Sequence, residues 1–284
     1  MNSNNNLQNS QFDISRLFEQ AIQHHQVGQL EQAKRKYQEI LDTNPQHADS
    51  SHLLGLVEYQ YGNYVKAIEH IQQAVLISPE QPVFLNNLGN VLKEMGELDR
   101  SVQAYQQALE INPQYAEAHN NLGNVLKEMD RLDESLHAYQ QALKINPQYA
   151  EAHKNLSLSY LKLGNFKQGW EEYQWRWKCD EFAAENRKDF PQPMWDGSSL
   201  DGKSILIWQE QGTGDCIMFA SLLVELQDHA QKIFVETEYR LLPLLERSFP
   251  TMHFHTAQIP STPQLLSTTI DFQSPIASLP RWFL

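Results

Sequence analysis

Two sets of side chains carry the chemistry this sequence offers. The first is a series of amides. Asn87, Asn121 and Asn155 stand 34 residues apart, Asn86 and Asn120 precede two of them, and Asn90 and Asn124 follow about one helical turn later. A side-chain amide holds both a donor and an acceptor, so such a series can pair with a peptide backbone without reading its sequence. The same amides could instead satisfy backbone groups between neighbouring elements or face water. The second set is the stretch Gln209–Asp215, Q-E-Q-G-T-G-D. Asp215 follows Gly212 and Gly214, and a carboxylate there can take a proton from a hydroxyl if its reach and pKa suit. Asp is equally a favoured N-cap, which would start the next helix without chemistry. The stretch is not G-x-G-x-x-G, so it does not mark a dinucleotide site.

Other reactive groups are sparse. His24 and His25 are adjacent and point to different faces of a helix. His253 and His255 share a strand face but lack Cys or carboxylate partners at ligand spacing, so no metal is expected. Cys179 and Cys216 fall in different elements and form no disulfide framework. No cofactor is expected. A net charge of −13 on 284 residues argues against nucleic acid or an anionic membrane as the main partner. No apolar run reaches the roughly 18 residues of a membrane span, and the N-terminus has no basic region followed by an apolar run. A soluble, cytoplasmic protein is expected.

The elements that must position the amides are repeats. N-N-L-G-N-V-L-K-E-M occurs at Asn86–Met95 and again at Asn120–Met129, an offset of 34. Pro45, Pro79, Pro113 and Pro147 share that offset, as do Gly28, Gly62, Gly96, Asp130 and Gly164. Small residues recur at Ala21, Gly55, Gly89, Gly123 and Ser157. Leu122, Val125 and Leu126 form one helical stripe, and Leu136, Tyr139 and Leu143 continue it on a second helix. Pro147 cannot continue that helix and ends the unit. One helix pair cannot bury its own apolar face, so the pairs must stack.

The chain divides by pattern. Residues 1–13 are polar and Asn-rich, a disordered leader. The array covers 14–183, with units starting near 14, 48, 82, 116 and 150. Its fifth unit departs: Lys154 replaces the Asn86 and Asn120 amide, and Arg176 replaces the small column of Ala74, Ala108 and Ala142. That unit ends in F-K-Q-G-W-E-E-Y-Q-W-R-W, either an aromatic cap or an interface with the next domain. Residues 184–203 are a Pro- and Gly-rich linker. From 204 to 284 the pattern is α/β. Strands are expected at Ser204–Trp208, Lys232–Glu236, Thr251–His255 and Ile270–Phe272. Helices are expected at Cys216–Gln227, with Met218, Leu222 and Leu226 on one stripe, and at Arg240–Phe249. This order argues for a Rossmann-like domain.

The 34-residue unit resembles the tetratricopeptide repeat, TPR. The resemblance implies five stacked helix–turn–helix pairs in a right-handed superhelix, with a groove lined by the first helix of each pair. The amide series resembles the ladder in TPR arrays of O-linked N-acetylglucosamine transferases, which hold extended peptides. Five further blocks are G-W-E-E-Y-Q-W-R-W at 169–177, P-M-W-D-G at 193–197, L-D-G-K-S-I-L-I at 200–207, E-Q-G-T-G-D at 210–215 and S-L-P-R-W-F at 278–283. In that order they resemble bacterial proteins in which TPR repeats precede a glycosyltransferase domain related to the heptosyltransferases. Such a domain has two Rossmann-like halves, the first facing the acceptor and the second binding a nucleotide-sugar. The resemblance implies Asp215 as general base and Gln211, Gly212 and Gly214 as acceptor loop. Two halves need on the order of 300 residues, so the donor-binding half is expected to be absent and the chain inactive alone. The expected fold is therefore mainly α: a TPR superhelix of five repeats followed by a partial Rossmann-like α/β domain. The expected function is a module binding an extended peptide or partner protein. The alternative is a glycosyltransferase for protein or glycan acceptors, with a nucleotide-sugar donor, of which this chain is a fragment.

Overall fold

The computed structural model describes residues 2–186, 188, 190–210, 212–258, 261–267 and 269–284, with backbone alone at 2–12, 181, 185 and 186. It divides into two compact units, Met1–Ala152 and His153–Leu284.

The first unit is built of helix pairs: α1 (Asn2–Gln26) with α2 (Leu30–Thr43), α3 (Ala48–Gln60) with α4 (Tyr64–Ile77), α5 (Pro82–Glu94) with α6 (Leu98–Ile111), and α7 (Ala116–Glu128) with α8 (Leu132–Ile145). α1 begins at Asn2, so helix also runs through the polar stretch expected as an unstructured leader. No Gly or Pro interrupts the chain before Gly28. Each pair turns on a residue of positive φ, Gly28, Gly62 and Gly96 in the first three and Asp130 (φ 60°) in the fourth. Asp tolerates this region better than most side chains. The second helices stop where a residue is forced to extended backbone before proline, as at Asn112 (φ −130°) before Pro113. The Asn44, Asn112 and Asn146 side chains then accept from the amides of Gln46, Gln114 and Gln148.

Close approach within a pair depends on the small column. A Cβ at Gly89 or Gly123 would lie 2.6 Å or 2.5 Å from the rings of Tyr105 and Tyr139, both fully buried. Core clusters span adjacent pairs: Ala67, Ile68 and Ile71 pack with Leu88, Val91 and Leu92, while Val102 and Tyr105 pack with Val125, Leu126 and Ala138. This shared burial stacks the repeats.

α9 (Ala150–Lys162) carries the division between the units, and α10 (Phe166–Tyr173) lies wholly in the second. α10 runs into a 3₁₀ turn, Gln174–Lys178, then α11 (Asp180–Asn186). Four parallel strands follow in the order β3-β2-β1-β4: β1 (Ser204–Trp208), β2 (Lys232–Thr237), β3 (His253–Thr256) and β4 (Phe272–Pro275). Strands β3 and β4 thus start two residues later than the apolar runs suggested. α12 (Thr213–Ala220) and α13 (Leu223–Gln227) connect β1 to β2, α14 (Leu242–Ser248) connects β2 to β3, and α15 (Pro280–Phe283) comes after β4.

All five residues of β1 are buried. Ile205 and Ile207 face one cluster with Phe219, Leu223 and Leu226, and Leu206 and Trp208 face another with Phe190, Leu265 and Ile270. Burial on both faces explains the unbroken apolar run S-I-L-I-W. The expected helical stripe through Met218 is corrected. Met218 is exposed, while Cys216, Phe219, Leu223 and Leu226 face inward at i, i+3, i+7 and i+10, and Leu222 packs partly buried against the same cluster.

The fifth repeat's aromatics pack within this second unit. Trp170 packs edge-on against Phe219, and Trp177 against Trp208. Trp175 differs, stacking on His153 at 3.8 Å. The connector is pinned too: Trp195 is buried, its backbone N–H donates to the Gln273 carbonyl at 2.7 Å, and its indole donates to Ser198 O. No helix among the described residues is long and apolar enough to cross a membrane.

Candidate functional site

The amides lie on α5 and α7. Asn86 and Asn120 are buried, while Asn87, Asn90, Asn121 and Asn124 are half-buried. Asn121 Nδ2 donates to Asn86 Oδ1 at 3.1 Å, and Asn86 Nδ2 donates to Glu117 Oε1 at 3.2 Å. One repeat earlier, Asn87 Nδ2 lies 2.9 Å from His52 Nε2. His52 precedes Asn86 by 34 residues, so its ring nitrogen stands where the next repeat has an amide oxygen. His52 is 6% exposed and stacks on Phe84 at 4.4 Å. Burial pulls its pKa down to about 4, against a smaller upward pull from Asp49. The ring is therefore neutral at pH 7 and Nε2 accepts.

Asn90 and Asn124 are used the other way round. The Tyr105 hydroxyl donates to Asn90 Oδ1 at 2.6 Å and the Tyr139 hydroxyl to Asn124 Oδ1 at 2.8 Å. Burial raises both phenol pKa values, which keeps their protons on. The amides are thus used unequally inside the fold. Both ends are taken at Asn86 and, through the Asn120 amide, at Asn121; the N–H is taken at Asn87 and the oxygen at Asn90 and Asn124. Amides this far from water are paired inside the fold. Asn120 Nδ2 lies 3.5 Å from Asn121 Oδ1, at the outer limit of a hydrogen bond. Asn155 is half-buried on α9, in the second unit, and its carbonyl accepts from Ser159 Oγ.

In the second unit, the stretch 209–215 leaves the C-terminal end of β1. The Glu210 side chain is fully buried and accepts from Arg176 Nε and Nη2, each at 2.9 Å, and from the Ala277 amide at 3.0 Å. Arg176 also donates to Tyr173 O at 3.0 Å and Ser278 Oγ at 2.9 Å. The arginine that breaks the small column of the repeats is therefore an anchor for this loop. Gln209 Oε1 accepts from Thr237 Oγ1 and the Glu238 amide. Gln211 lies outside the described residues. Gly212 caps α12 and Gly214 is in its first turn; a Cβ on either would meet nothing within 4 Å. Asp215 is half-buried in that turn, where the helix dipole favours a carboxylate. It does not cap the helix, since Gly212 holds that position. Beside it, Cys216 is buried, its thiol pKa is raised by that burial, and it packs rather than reacts. Among the described residues no group of three His, Cys, Asp or Glu side chains could hold a metal.

Residues 18–82 and 116–149 match the family described as tetratricopeptide repeat, and 89–130 match one described as TPR repeat. The helix pairs are tetratricopeptide repeats. Solved structures agree. A crystal structure of MamA is 23% identical, covers 58% of this chain and 96% of its own, and has a TM-score of 0.52. PilF of Pseudomonas aeruginosa is 20% identical, covers 64% and 80%, and has a TM-score of 0.55. Identities this low show the fold alone. Protein FlbA of Caulobacter vibrioides is 39% identical over 67 residues, 22% of this chain, and the match spans only 11% of FlbA. Within the TPR frame, His52 is the member of the amide column that a search for asparagines passes over. Its signal was the spacing His52, Asn86, Asn120. The Arg176–Glu210 pair had no such signal, because nothing local links the two positions.

Proposed function

We propose that the TPR unit is an interaction module that holds an extended peptide, or an extended segment of a partner protein, against the first helices of its pairs. The observation that carries this reading is the repeated bond, Asn87 to His52 and Asn121 to Asn86, which orders half-buried amides at one-repeat spacing. Asn86 and Asn120 support the series from within, Asn90 and Asn124 flank it, and Asn155 continues its spacing. Replacing Asn87, Asn121 and Asn155 together by Ala removes hydrogen bonds worth about 0.5–1.5 kcal/mol each. At least about tenfold weaker binding to the best ligand from an array of random extended peptides is expected, with far-UV helicity retained. His52 and Asn86 also lose partners, so affinity is compared well below the onset of melting. Unchanged affinity would sink the assignment.

A second reading is favoured by the parallel order β3-β2-β1-β4, with a glycine loop and carboxylate at the C-terminal end of β1. Open α/β sheets bind ligands at that end. This supports reading 204–284 as the acceptor-facing part of a Rossmann-like, heptosyltransferase-like glycosyltransferase domain. In that reading 14–183 is the array, 184–203 the connector, Asp215 the general base, and Gln211, Gly212 and Gly214 the acceptor loop. The nucleotide-sugar would be held by a second half outside this chain. A panel of labelled nucleotide-sugars should therefore show no turnover. Transfer that disappears in Asp215→Ala would overturn this division of labour.

A further inference from the structure

Three of the sequence blocks singled out above meet at a place that neither reading of the chain uses. P-M-W-D-G at 193–197, L-D-G-K at 200–203 and S-L-P-R-W-F at 278–283 contribute to a crevice of about 210 Å³ in the second unit. Its wall is aromatic. Trp195 is buried, and the half-buried rings of Trp282 and Phe283 lie 5.5 Å and 6.0 Å from it. Its rim is polar and exposed, with the hydroxyls of Ser198 and Ser199, the Asp201 carboxylate and the His229 imidazole. Residues 196–203 lead into the start of β1, and His229 stands just before β2. The crevice therefore lies at the end of the sheet where these strands begin, whereas the loop carrying Asp215 leaves β1 at the other end.

We propose that this crevice binds one neutral sugar ring, free or as the end unit of a glycan. The C–H face of the ring lies against the aromatic wall, and its hydroxyls meet Ser199, Asp201 and His229. The inference is independent of the peptide-binding face and of Asp215. Size limits the ligand to about one ring, since pockets for drug-sized molecules hold roughly 300 Å³ or more. The two-sided lining then decides its chemistry. A fully apolar ligand would cover the Asp201 carboxylate without answering its hydrogen bonds. An anion would face that carboxylate. A cation would compete with the Arg281 guanidinium, which already lies 4.6 Å from the centre of the Trp282 ring. A neutral ring with an apolar face and a hydroxyl edge satisfies both parts.

Contacts within the second unit hold the crevice in shape. Gly197 has φ 87°, and a Cβ there would lie 2.4 Å from the Trp282 ring, so the ring rests on bare backbone. The Trp195 indole donates to Ser198 O at 2.9 Å, which ties the wall to the rim. Ser199 Oγ donates to Asp201 Oδ2 at 2.9 Å and accepts from the Asp201 amide at 3.2 Å. One carboxylate oxygen is thus occupied, and Oδ1 is left to accept from ligand hydroxyls. His229 stacks on Phe283 with the rings 14° from parallel, and its imidazole can donate or accept. Rim groups fixed before a ligand arrives lose little freedom on binding.

The test uses the full chain. Methyl glycosides of glucose, galactose, mannose and N-acetylglucosamine serve as free rings, and an array of immobilised oligosaccharides supplies end units. Trp195 and Trp282 border the crevice, so binding of the free rings is followed by tryptophan fluorescence. Saturable binding of at least one ring or end unit is expected, in about the millimolar range for a free ring of so few atoms. Asp201→Asn changes an exposed residue and keeps an oxygen for Ser199, but turns an N–H toward hydroxyls that need an acceptor. It should weaken binding at least about fivefold with an unchanged melting temperature. His229→Ala should weaken binding too. Binding on the array alone would assign the crevice to glycan ends, and binding of free rings alone to monosaccharides; either supports the proposal. No binding to any ring or oligosaccharide, or equal affinity in both variants and the parent, would overturn it. Binding lost in Asp215→Ala but kept in Asp201→Asn would put the sugar at the other end of the sheet and overturn it as well.

Discussion

Glu210→Ala is expected to destabilise the second unit by about 3–5 kcal/mol, the usual cost of leaving one member of a buried ion pair without the other. Both side chains of the Arg176–Glu210 pair are inaccessible to solvent. The alanine would leave the guanidinium with only the Tyr173 carbonyl and the Ser278 hydroxyl as acceptors, neither of them charged. It would also orphan the Ala277 amide. The coupled change Arg176→Met/Glu210→Leu should recover most of the loss, since an apolar pair of similar volume removes both charges at once. Arg176→Lys should not, because an ammonium cannot reproduce the two-pronged contact. The readout is direct. The six tryptophans, Trp170, Trp175, Trp177, Trp195, Trp208 and Trp282, all lie in the second unit. Tryptophan fluorescence during guanidinium unfolding therefore tracks that unit, while the far-UV signal is dominated by helix. A tryptophan transition within about 1 kcal/mol of the parent would show that the pair does not hold the loop.

The first unit should lose stability in acid through His52. Burial lowers its folded pKa to about 4, below the ordinary 6.5. The folded state thus binds fewer protons than the unfolded state between those values, so the stability present above pH 6.5 falls as the pH drops toward 4 and then levels off. The size is about 3 kcal/mol if His52 acts alone. Protonation would also put a hydrogen on Nε2, facing the Asn87 N–H at 2.9 Å, and turn an acceptor into a second donor. His52→Asn is the informative variant. Asn86 already fills this column in the next repeat and accepts from Asn121 through Oδ1, so an asparagine at 52 can accept from Asn87 at any pH. Urea unfolding monitored by far-UV circular dichroism between pH 7 and pH 4 should show a steep loss for the parent and a shallow one for His52→Asn. Parallel slopes would mean that other groups govern the acid response.

The repeats were legible because their signal is local and periodic. Glycines at one-repeat spacing are needed where a ring packs on bare backbone, as Tyr139 does at Gly123, and prolines are needed where a helix must stop. Each requirement involves residues within one or two helices, so it leaves a mark at constant offset. The strands of the second unit were legible for a related reason. Burial on both faces demands an unbroken apolar run, and β1 has one.

Hydrogen-bond polarity and long-range pairing left no comparable mark. Asn87 and Asn90 are the same residue type one turn apart, yet they face opposite uses, because one meets a histidine from the preceding repeat and the other a phenol from its own pair. The pattern of asparagines specified where amides would stand, and only packing chose which end of each amide would be consumed. Arg176 looked like a broken column, since its partner Glu210 lies 34 residues away across a change from helix to sheet. A buried charge can be read only together with the opposite charge that neutralises it, and in this chain folding alone brings the two together.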